Sequence, residues 1–364
     1  MLKDTLYDAL CATTRDLPEP LLSKAYFFHD IRVMCQTNHP AIFSIFDKML
    51  GIFPEPAKIR GEAAYCILCS ERAAQFPVPL PRRRVRTQTV RLLTNTILKY
   101  YRGEHNDFLY QRYMALPPIN ETALTIIDPA RPIALTQLEM PERYQAPFLQ
   151  RYVFLLALGQ LMRIYGFEPC HAGAVTSPWD SQQGTLIIGA SGSGKTTLSI
   201  GCAIAGCGLL GDDLVMLRQP TENSSLAAYA ISREVSIRSG SLDLWPALSF
   251  LRAVPADPRD KRFCSIEHIR NGSASAQTTI RFLLFPTLTS ETHTTMTRLS
   301  KANALQKLVD ECLGKNNSSP QAQERLFLFL STLAEQAAAY RLAMARGSAD
   351  GPQIVRSLFA GNSL

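Results

Sequence analysis

The sequence predicts an α/β protein, with a P-loop domain in its C-terminal part and an α+β, β-rich domain in its N-terminal part. Three observations carry that expectation. From Lys24 to about Met140 the chain is a series of short β-branched and aromatic runs divided by Pro, Gly, Asn or Asp. The second half alternates strand-like with helix-like runs, the order expected of helices packed on a largely parallel sheet. Within it stands "GASGSGKT", Gly189 to Thr196, a full match to GxxxxGK[ST].

A chain of 364 residues with 46% apolar content is long enough to build two cores. Strands are expected in "YFFHDIRVMCQ" (Tyr26–Gln36), "AAYCILCSE" (Ala63–Glu71), "RVRTQTVRLL", "NTILKYYRG", "DFLYQRYMAL", "ETALTIID" and "PIALTQLEM". One helix, "HPAIFSIFDKMLGIF" (His39–Phe53), interrupts them. Prolines flank charged residues in "LEMPERYQAP", which places the domain boundary there: 1–140 as an accessory or substrate-recruiting domain and 141–364 as the catalytic one. A long apolar helix, "PFLQRYVFLLALGQLMRIYG", should open the second domain. Gln150, Arg151, Gln160 and Arg163 interrupt its apolar run, so it reads as a core helix and not a membrane span. "HAGAV", "GTLIIG", "GLLGDDLVML", "AAYAISREVSIRSG" and "TIRFLLFPTL" then supply strands, and "SKANALQKLVDECL" and "QERLFLFLSTLAEQAA" supply helices.

Composition narrows the function. Nine cysteines, most within apolar runs, suit free thiols in a reducing compartment, and "CILC" at Cys66–Cys69 lacks the second ligand pair that zinc needs. The N-terminus shows no apolar signal-peptide core, so a cytoplasmic location is expected. The net charge is +7, with its densest basic run in "PRRRVRTQTVR" (Pro81–Arg91). No nucleic-acid module surrounds that run, so it reads as a solvated face and nucleic acid is not expected as a partner.

The glycine-rich loop explains itself physically. Gly189, Ala190, Ser191, Gly192, Ser193 and Gly194 let successive backbone amides turn inward on a β-phosphate at the positive end of a helix. Lys195 reaches the β/γ oxygens, Thr196 supplies a hydroxyl to Mg²⁺, and Thr197 continues the first helical turn. ATP and Mg²⁺ are the cofactors this predicts. One helix later come Asp212 and Asp213, at the end of what should be the adjacent strand. Two carboxylates meeting one Mg²⁺-ATP divide the labour: one holds the metal shell and the other takes a proton from an attacking hydroxyl. A kinase needs that division.

"HAGAV", the P-loop and "GCGLLGDDLVML", in that order, resemble the C-terminal domain of the HPr kinase/phosphorylase family, over roughly residues 160–308. The resemblance implies that family's fold, shared with phosphoenolpyruvate carboxykinases. It implies roles too: Asp213 as proton acceptor, which leaves Asp212 of the pair for the metal shell, Lys195 as the phosphate-binding lysine, Thr196 as a Mg²⁺ ligand, and His171 as a catalytic-site residue near the phosphates. Arg298 falls at the place of the family's active-site arginine. The family's metal-binding Glu aligns with Ser236, which leaves Glu234, two residues earlier on the same strand face, as the candidate ligand. The loop used for phosphorolysis is missing, so phosphorolysis is not expected.

The sequence thus points to an ATP-dependent phosphotransferase acting on a hydroxyl of a protein, a peptide or a small metabolite, away from any membrane; a homo-oligomeric state stays open. Two alternatives stand beside it: an ATP-binding regulator that senses nucleotide without phosphotransfer, and a phosphoenolpyruvate-carboxykinase-like enzyme. Lys261 and Arg262, in the polar "DPRDKRF", are read either as a loop closing over phosphates or as a solvated loop.

Overall fold

A computed structural model describes residues 21–70, 87–91, 97–105, 108–115, 121–128, 130–139, 146, 149–220, 224–257, 260–313 and 320–361. The N-terminal segment, the arginines at 82–86, most of the expected boundary "LEMPERYQAP", and Pro258 and Arg259 lie outside the described residues. The chain forms a mixed α/β protein of two compact units, Met1–Tyr165 and Gly166–Leu364.

In the first unit, β1 (Leu22–Phe28), β2 (Ile31–Thr37), β3 (Gly61–Ser70), β4 (Thr87–Arg91), β5 (Ile97–His105), β6 (Phe108–Ala115), β7 (Glu121–Asp128) and β8 (Ile133–Glu139) form one sheet. Its order is β1-β2-β3-β8-β7-β6-β5-β4. The run Tyr26–Gln36 is two strands and not one. His29, at φ 54°, and Asp30 form a two-residue turn that pairs Phe28 with Ile31, a backbone state in which His is enriched. The β2–β3 pairing is parallel because α1 (Pro40–Leu50) makes the crossover, burying Ile42, Ile45, Phe46, Met49 and Leu50 at helical spacing. The CxxC pair lies along β3, where residues three apart point to opposite faces. Neither thiol forms a disulfide, and burial pushes the Cys66 thiol up to about 12.

The long apolar helix belongs to this first unit, not to the second as expected. A π-helical stretch, Leu149–Leu155, leads into α2 (Leu156–Met162). Phe154 stacks on the fully buried Tyr65 of β3 at 5.5 Å between ring centroids, and the Tyr65 hydroxyl donates to the Val153 carbonyl at 3.2 Å. The same hydroxyl meets Thr136 Oγ1 at 3.1 Å. Aromatic burial and a satisfied hydroxyl hold the helix to the sheet, and the division falls after Tyr165. Tyr65→Phe removes the hydroxyl's bonds to the Val153 carbonyl and Thr136 in a dry interior, so urea unfolding should show a loss of about 0.5–1.5 kcal/mol with an unchanged slope.

In the second unit, β9 (Glu168–Cys170), β10 (Ala172–Thr176), β11 (Gln183–Ile188), β12 (Gly208–Gly211), β13 (Val215–Arg218), β14 (Ala227–Ala230), β17 (Gln277–Thr289), β18 (Thr295–Arg298) and β19 (Ala338–Ala345) form one sheet. A separate ribbon joins β15 (Glu234–Arg238) to β16 (Lys261–Ser265). The expectation of a largely parallel sheet fails. The β11–β17 and β17–β19 pairings are parallel, whereas β9–β13, β10–β11, β10–β12, β13–β14, β14–β17 and β18–β19 are antiparallel. The short links between β10 and β11 and between β13 and β14 leave no room for a crossover helix, so those neighbours fold back as hairpins.

Helices cover both faces of this sheet: α3 (Lys195–Ile204), α4 (Ser239–Leu244), α5 (Ile266–Ile269), α6 (Lys301–Leu308), α7 (Pro320–Gln336) and α8 (Gly351–Phe359). Strand alternation sorts the core. Leu186, Ile188, Leu283 and Phe285 pack with Leu308 of α6 and Leu330 of α7. Ile187, Leu284, Leu342 and Met344 face the other way, onto Leu198 of α3 and Val355 of α8. Each such buried aliphatic side chain stabilises by about 1.5–3 kcal/mol relative to exposure. The result is a rigid floor whose β11 edge carries the glycine-rich loop.

Candidate functional site

Leaving β11, the chain turns through Gly189–Gly194 into α3 with Gly192 at φ 85° and Gly194 at φ 95°. Lys195 is only 6% exposed, and its Nζ donates to the carbonyls of Gly189 at 2.6 Å and Ala190 at 3.1 Å, which staples the start of the loop to its end. The Ser193 hydroxyl is buried with no hydrogen-bond partner in the protein. Turned amides at a helix N-terminus, a buried cation and an orphaned hydroxyl together fit an anion of the phosphate type.

The two carboxylates have different surroundings. Asp212 is 2% exposed, and its Oδ2 accepts from the Thr196 hydroxyl at 3.0 Å. With its proton committed to Asp212, Thr196 Oγ1 keeps lone pairs for a cation, which is the arrangement a Mg²⁺ at this place requires. Asp213 opens to solvent instead. Its Oδ1 lies 3.3 Å from His171 Nδ1 and its Oδ2 3.7 Å from Lys261 Nζ.

The topology behind this corrects one expectation. β12, which ends at the aspartates, is not adjacent to β11, because β10 runs between them antiparallel to both. That reversal brings the start of β10, and with it His171, to the same sheet edge as the end of β11, where Ala172 pairs with Ile188. Lys261 lies on β16 and not in a loop. Asp260, at φ 59°, turns the chain into that strand and is tied by Ser239 Oγ at 2.6 Å, and its carboxylate also meets Arg262. The polar run "DKRF" carries no apolar alternation, and the prolines upstream point to a loop, so the strand left no local signal.

Other expected residues are placed as follows. The Thr197 hydroxyl meets Ser241 Oγ at 2.7 Å, and Trp245 Nε1 donates to the Thr197 carbonyl at 3.2 Å, which ties α3 to α4. Neither Ser241 nor Trp245 carried a motif. Glu234 stands at the start of β15; its charge and that of Asp212 both add to the burial that pushes the Cys264 thiol up to about 12, so the two carboxylates share that neighbourhood. Ser236, on the same strand, has a buried hydroxyl with no partner. Among the described residues no group of three or more His, Cys, Asp or Glu is placed to hold a metal unaided. An ion at Thr196 and Asp212 would complete its shell with phosphate oxygens and water, as Mg²⁺ ordinarily does. Arg298 is not brought to the loop. It pairs with Tyr340, which is level with Leu284 and thus with Ile187, and β17 and β19 separate it from β11. Three strand spacings put it roughly 14 Å along the sheet.

The solved structures include a likeness to the HPr(Ser) kinase/phosphatase from Coxiella burnetii, at 12% identity and a TM-score of 0.30, over 53% of this chain and 89% of that one. No protein-family model and no curated protein matches the sequence. Among the described residues no helix is long and apolar enough to cross a membrane.

The loop glycines can be tested directly. A Cβ on Gly194 would meet Met344 Cε at 2.3 Å, whereas one on Gly192 would meet nothing within 4 Å. Both sit at positive φ, so alanine at either is expected to cost about 1–3 kcal/mol in backbone strain. Gly194→Ala should lower the melting temperature further than Gly192→Ala, since Met344 must also move; equal losses would show that backbone strain alone acts there.

Proposed function

We propose that this chain is a Mg²⁺-ATP-dependent kinase of the HPr-kinase-like kind, which transfers the γ-phosphoryl group to a hydroxyl of a protein, a peptide or a small metabolite. The observation that supports it most is the contrast between the adjacent carboxylates: Asp212 buried beneath the Thr196 hydroxyl, Asp213 open between His171 and Lys261. A nucleotide sensor needs only the first arrangement; the second adds an accessible carboxylate placed to take a proton.

Mg²⁺-ATP, when bound, supplies an activated phosphoryl group whose charge the metal shares. The residues Gly189 to Thr196 would hold its phosphates, with Thr196 and Asp212 on the metal and Glu234 as a further shell residue. Lys195 must exchange its two carbonyl partners for phosphate oxygens, so binding and loop rearrangement are coupled. Asp213 accepts the proton of the acceptor hydroxyl as that oxygen attacks. His171 and Lys261 hold the carboxylate in place from either side, and Lys261 adds positive charge where charge shifts onto the transferring group. The first unit serves to recruit the acceptor.

ADP release by the full chain, with and without fractions of a host-cell extract, tests this reading alongside mass spectrometry for new phosphoserine or phosphometabolite. A fraction that stimulates ADP release and acquires phosphate supports it. Persistent nucleotide occupancy without stimulation by any fraction would establish the sensor instead.

A further inference from the structure

The residue before His171 touches a second thiol. Cys170 ends β9, and its Sγ lies 4.0 Å from Cys312 Sγ, on the π-helical turn Val309–Leu313 that follows α6. The two stand 142 residues apart in the chain, so the fold makes this contact and no local turn does. Neither forms a disulfide. Cys170 is 4% exposed, in the same core as Leu186, Ile188 and Leu308, whereas Cys312 packs against that core from outside and is half-buried. A disulfide needs its sulfurs about 2.05 Å apart, so the pair is one short approach of about 2 Å from bonding.

The difference in exposure divides the roles. An oxidant meets Cys312 first. The hydrogen bond with Cys312, together with burial, holds the Cys170 thiol well above its ordinary range, so Cys170 keeps its proton and Cys312 is the one to supply a thiolate. Cys202 and Cys207 are also hydrogen-bonded to each other, but both are wholly buried and offer an oxidant no face. The place of Cys170 gives the bond a consequence. It pairs with Val215, two residues beyond Asp213, and it directly precedes His171. It thus anchors both the strand that leads to the histidine and the strand that leaves the aspartate.

We propose that Cys170 and Cys312 are a reversible disulfide-forming pair, oxidised by a hydroperoxide, and that closing it draws His171 away from Asp213; the effect on transfer rests on the reading of Asp213 as the base. The Cys312 thiolate attacks one peroxide oxygen, an S–O bond forms as the O–O bond breaks, and the departing oxygen takes a proton. The Cys170 sulfur then attacks the Cys312 sulfur, the S–S bond forms as the S–O bond breaks, and the hydroxide leaves as water with the Cys170 proton. Two thiols lose two electrons between them, and hydrogen peroxide becomes two waters. The contact of 3.3 Å between His171 Nδ1 and Asp213 Oδ1 is long for a hydrogen bond, so a displacement of about 1 Å at residue 171 ends it. The glycine-rich loop belongs to β11 and α3, so nucleotide affinity is untouched.

Hydrogen peroxide treatment of the full chain, followed by peptide mapping under non-reducing conditions, tests the pair. One disulfide, Cys170–Cys312, should form and should open again with dithiothreitol. The NMR signals of the His171 ring should shift on oxidation in the parent and stay fixed in Cys312→Ser and Cys312→Ala. Transfer to the acceptor fraction should fall about 10- to 100-fold in the oxidised parent, the range for a misplaced group, with Mg²⁺-ADP affinity unchanged and both variants resistant. Cys312 oxidised to a sulfinic acid with no disulfide, or a disulfide at Cys202–Cys207 instead, would overturn the pairing. A Cys170–Cys312 bond that left the His171 signals in place would overturn the link to the site. A chain that transfers phosphate to no fraction removes the kinase reading alone, because mapping and the His171 signals decide the thiol pair without it.

Discussion

Lys195→Ala is expected to abolish the stabilisation that Mg²⁺-ATP confers on this protein. A ligand present at a hundred times its Kd raises the unfolding free energy by about 2.7 kcal/mol, and the variant should show none of that gain in a thermal melt. The loop concentrates its cationic charge in this one side chain, and removing it leaves the loop only amide dipoles with which to hold the β/γ charge beside the metal. The variant changes the empty loop as well. Lys195 Nζ is the donor to the Gly189 and Ala190 carbonyls, so its loss unties the loop and should lower the melting temperature even without nucleotide. Lys195→Met separates the two effects, because it keeps most of the buried stem while removing the charge. A variant that gained as much from Mg²⁺-ATP as the parent would remove the cradle assignment.

What could be read from the sequence was chemistry that is local along the chain. The turn of Gly189 to Thr196 into α3 needs one loop and the first turn of a helix, so eight residues declare its shape. The α1 helix announced itself through its apolar spacing, and the alternating runs of the first half became strands of one sheet. The order and direction of strands depend on partners far away in sequence. Nothing within "HAGAV" says that β10 runs antiparallel between β11 and β12, yet that reversal is what carries His171 to Asp213. The long helix at 149–162 was assigned to the wrong side of the boundary for a similar reason: its partner, Tyr65, stands some ninety residues earlier, and proline punctuation spoke more loudly than a contact the sequence does not display.

Lys261 and Arg298 show the same limit from opposite sides. Arg298 was placed by alignment with a family motif, but a register on β19 holds it level with Ile187 and away from the loop. Lys261 had no motif, and the β15–β16 ribbon delivers it to within 3.7 Å of Asp213. A charged residue on a short two-stranded ribbon looks like a solvated one until the ribbon's neighbours are known.

Asp213→Asn should leave Mg²⁺-ATP binding intact and lower the rate of phosphoryl transfer by about 10²- to 10⁴-fold, the range for loss of a general base. The amide matches the carboxylate in size and, like it, can still accept from Lys261, so the side chain stays in place; it cannot take the acceptor's proton. Asp212→Asn should behave differently. Its carboxylate is buried and accepts from Thr196, so the amide disturbs the hydroxyl that faces the metal and raises the Mg²⁺ concentration needed for half-maximal rate. Lys261→Met provides the third comparison: with a neutral side chain beside it, Asp213 remains a base but loses a cation from the place where charge accumulates, so the maximal rate should fall while the Mg²⁺ requirement holds. Single-turnover transfer measured against Mg²⁺ concentration separates these cases, because a lost base lowers the plateau and a weakened metal shell shifts the midpoint. If both aspartate variants moved plateau and midpoint together, the two carboxylates would act as one metal-binding unit, and the proton would have to leave by another group.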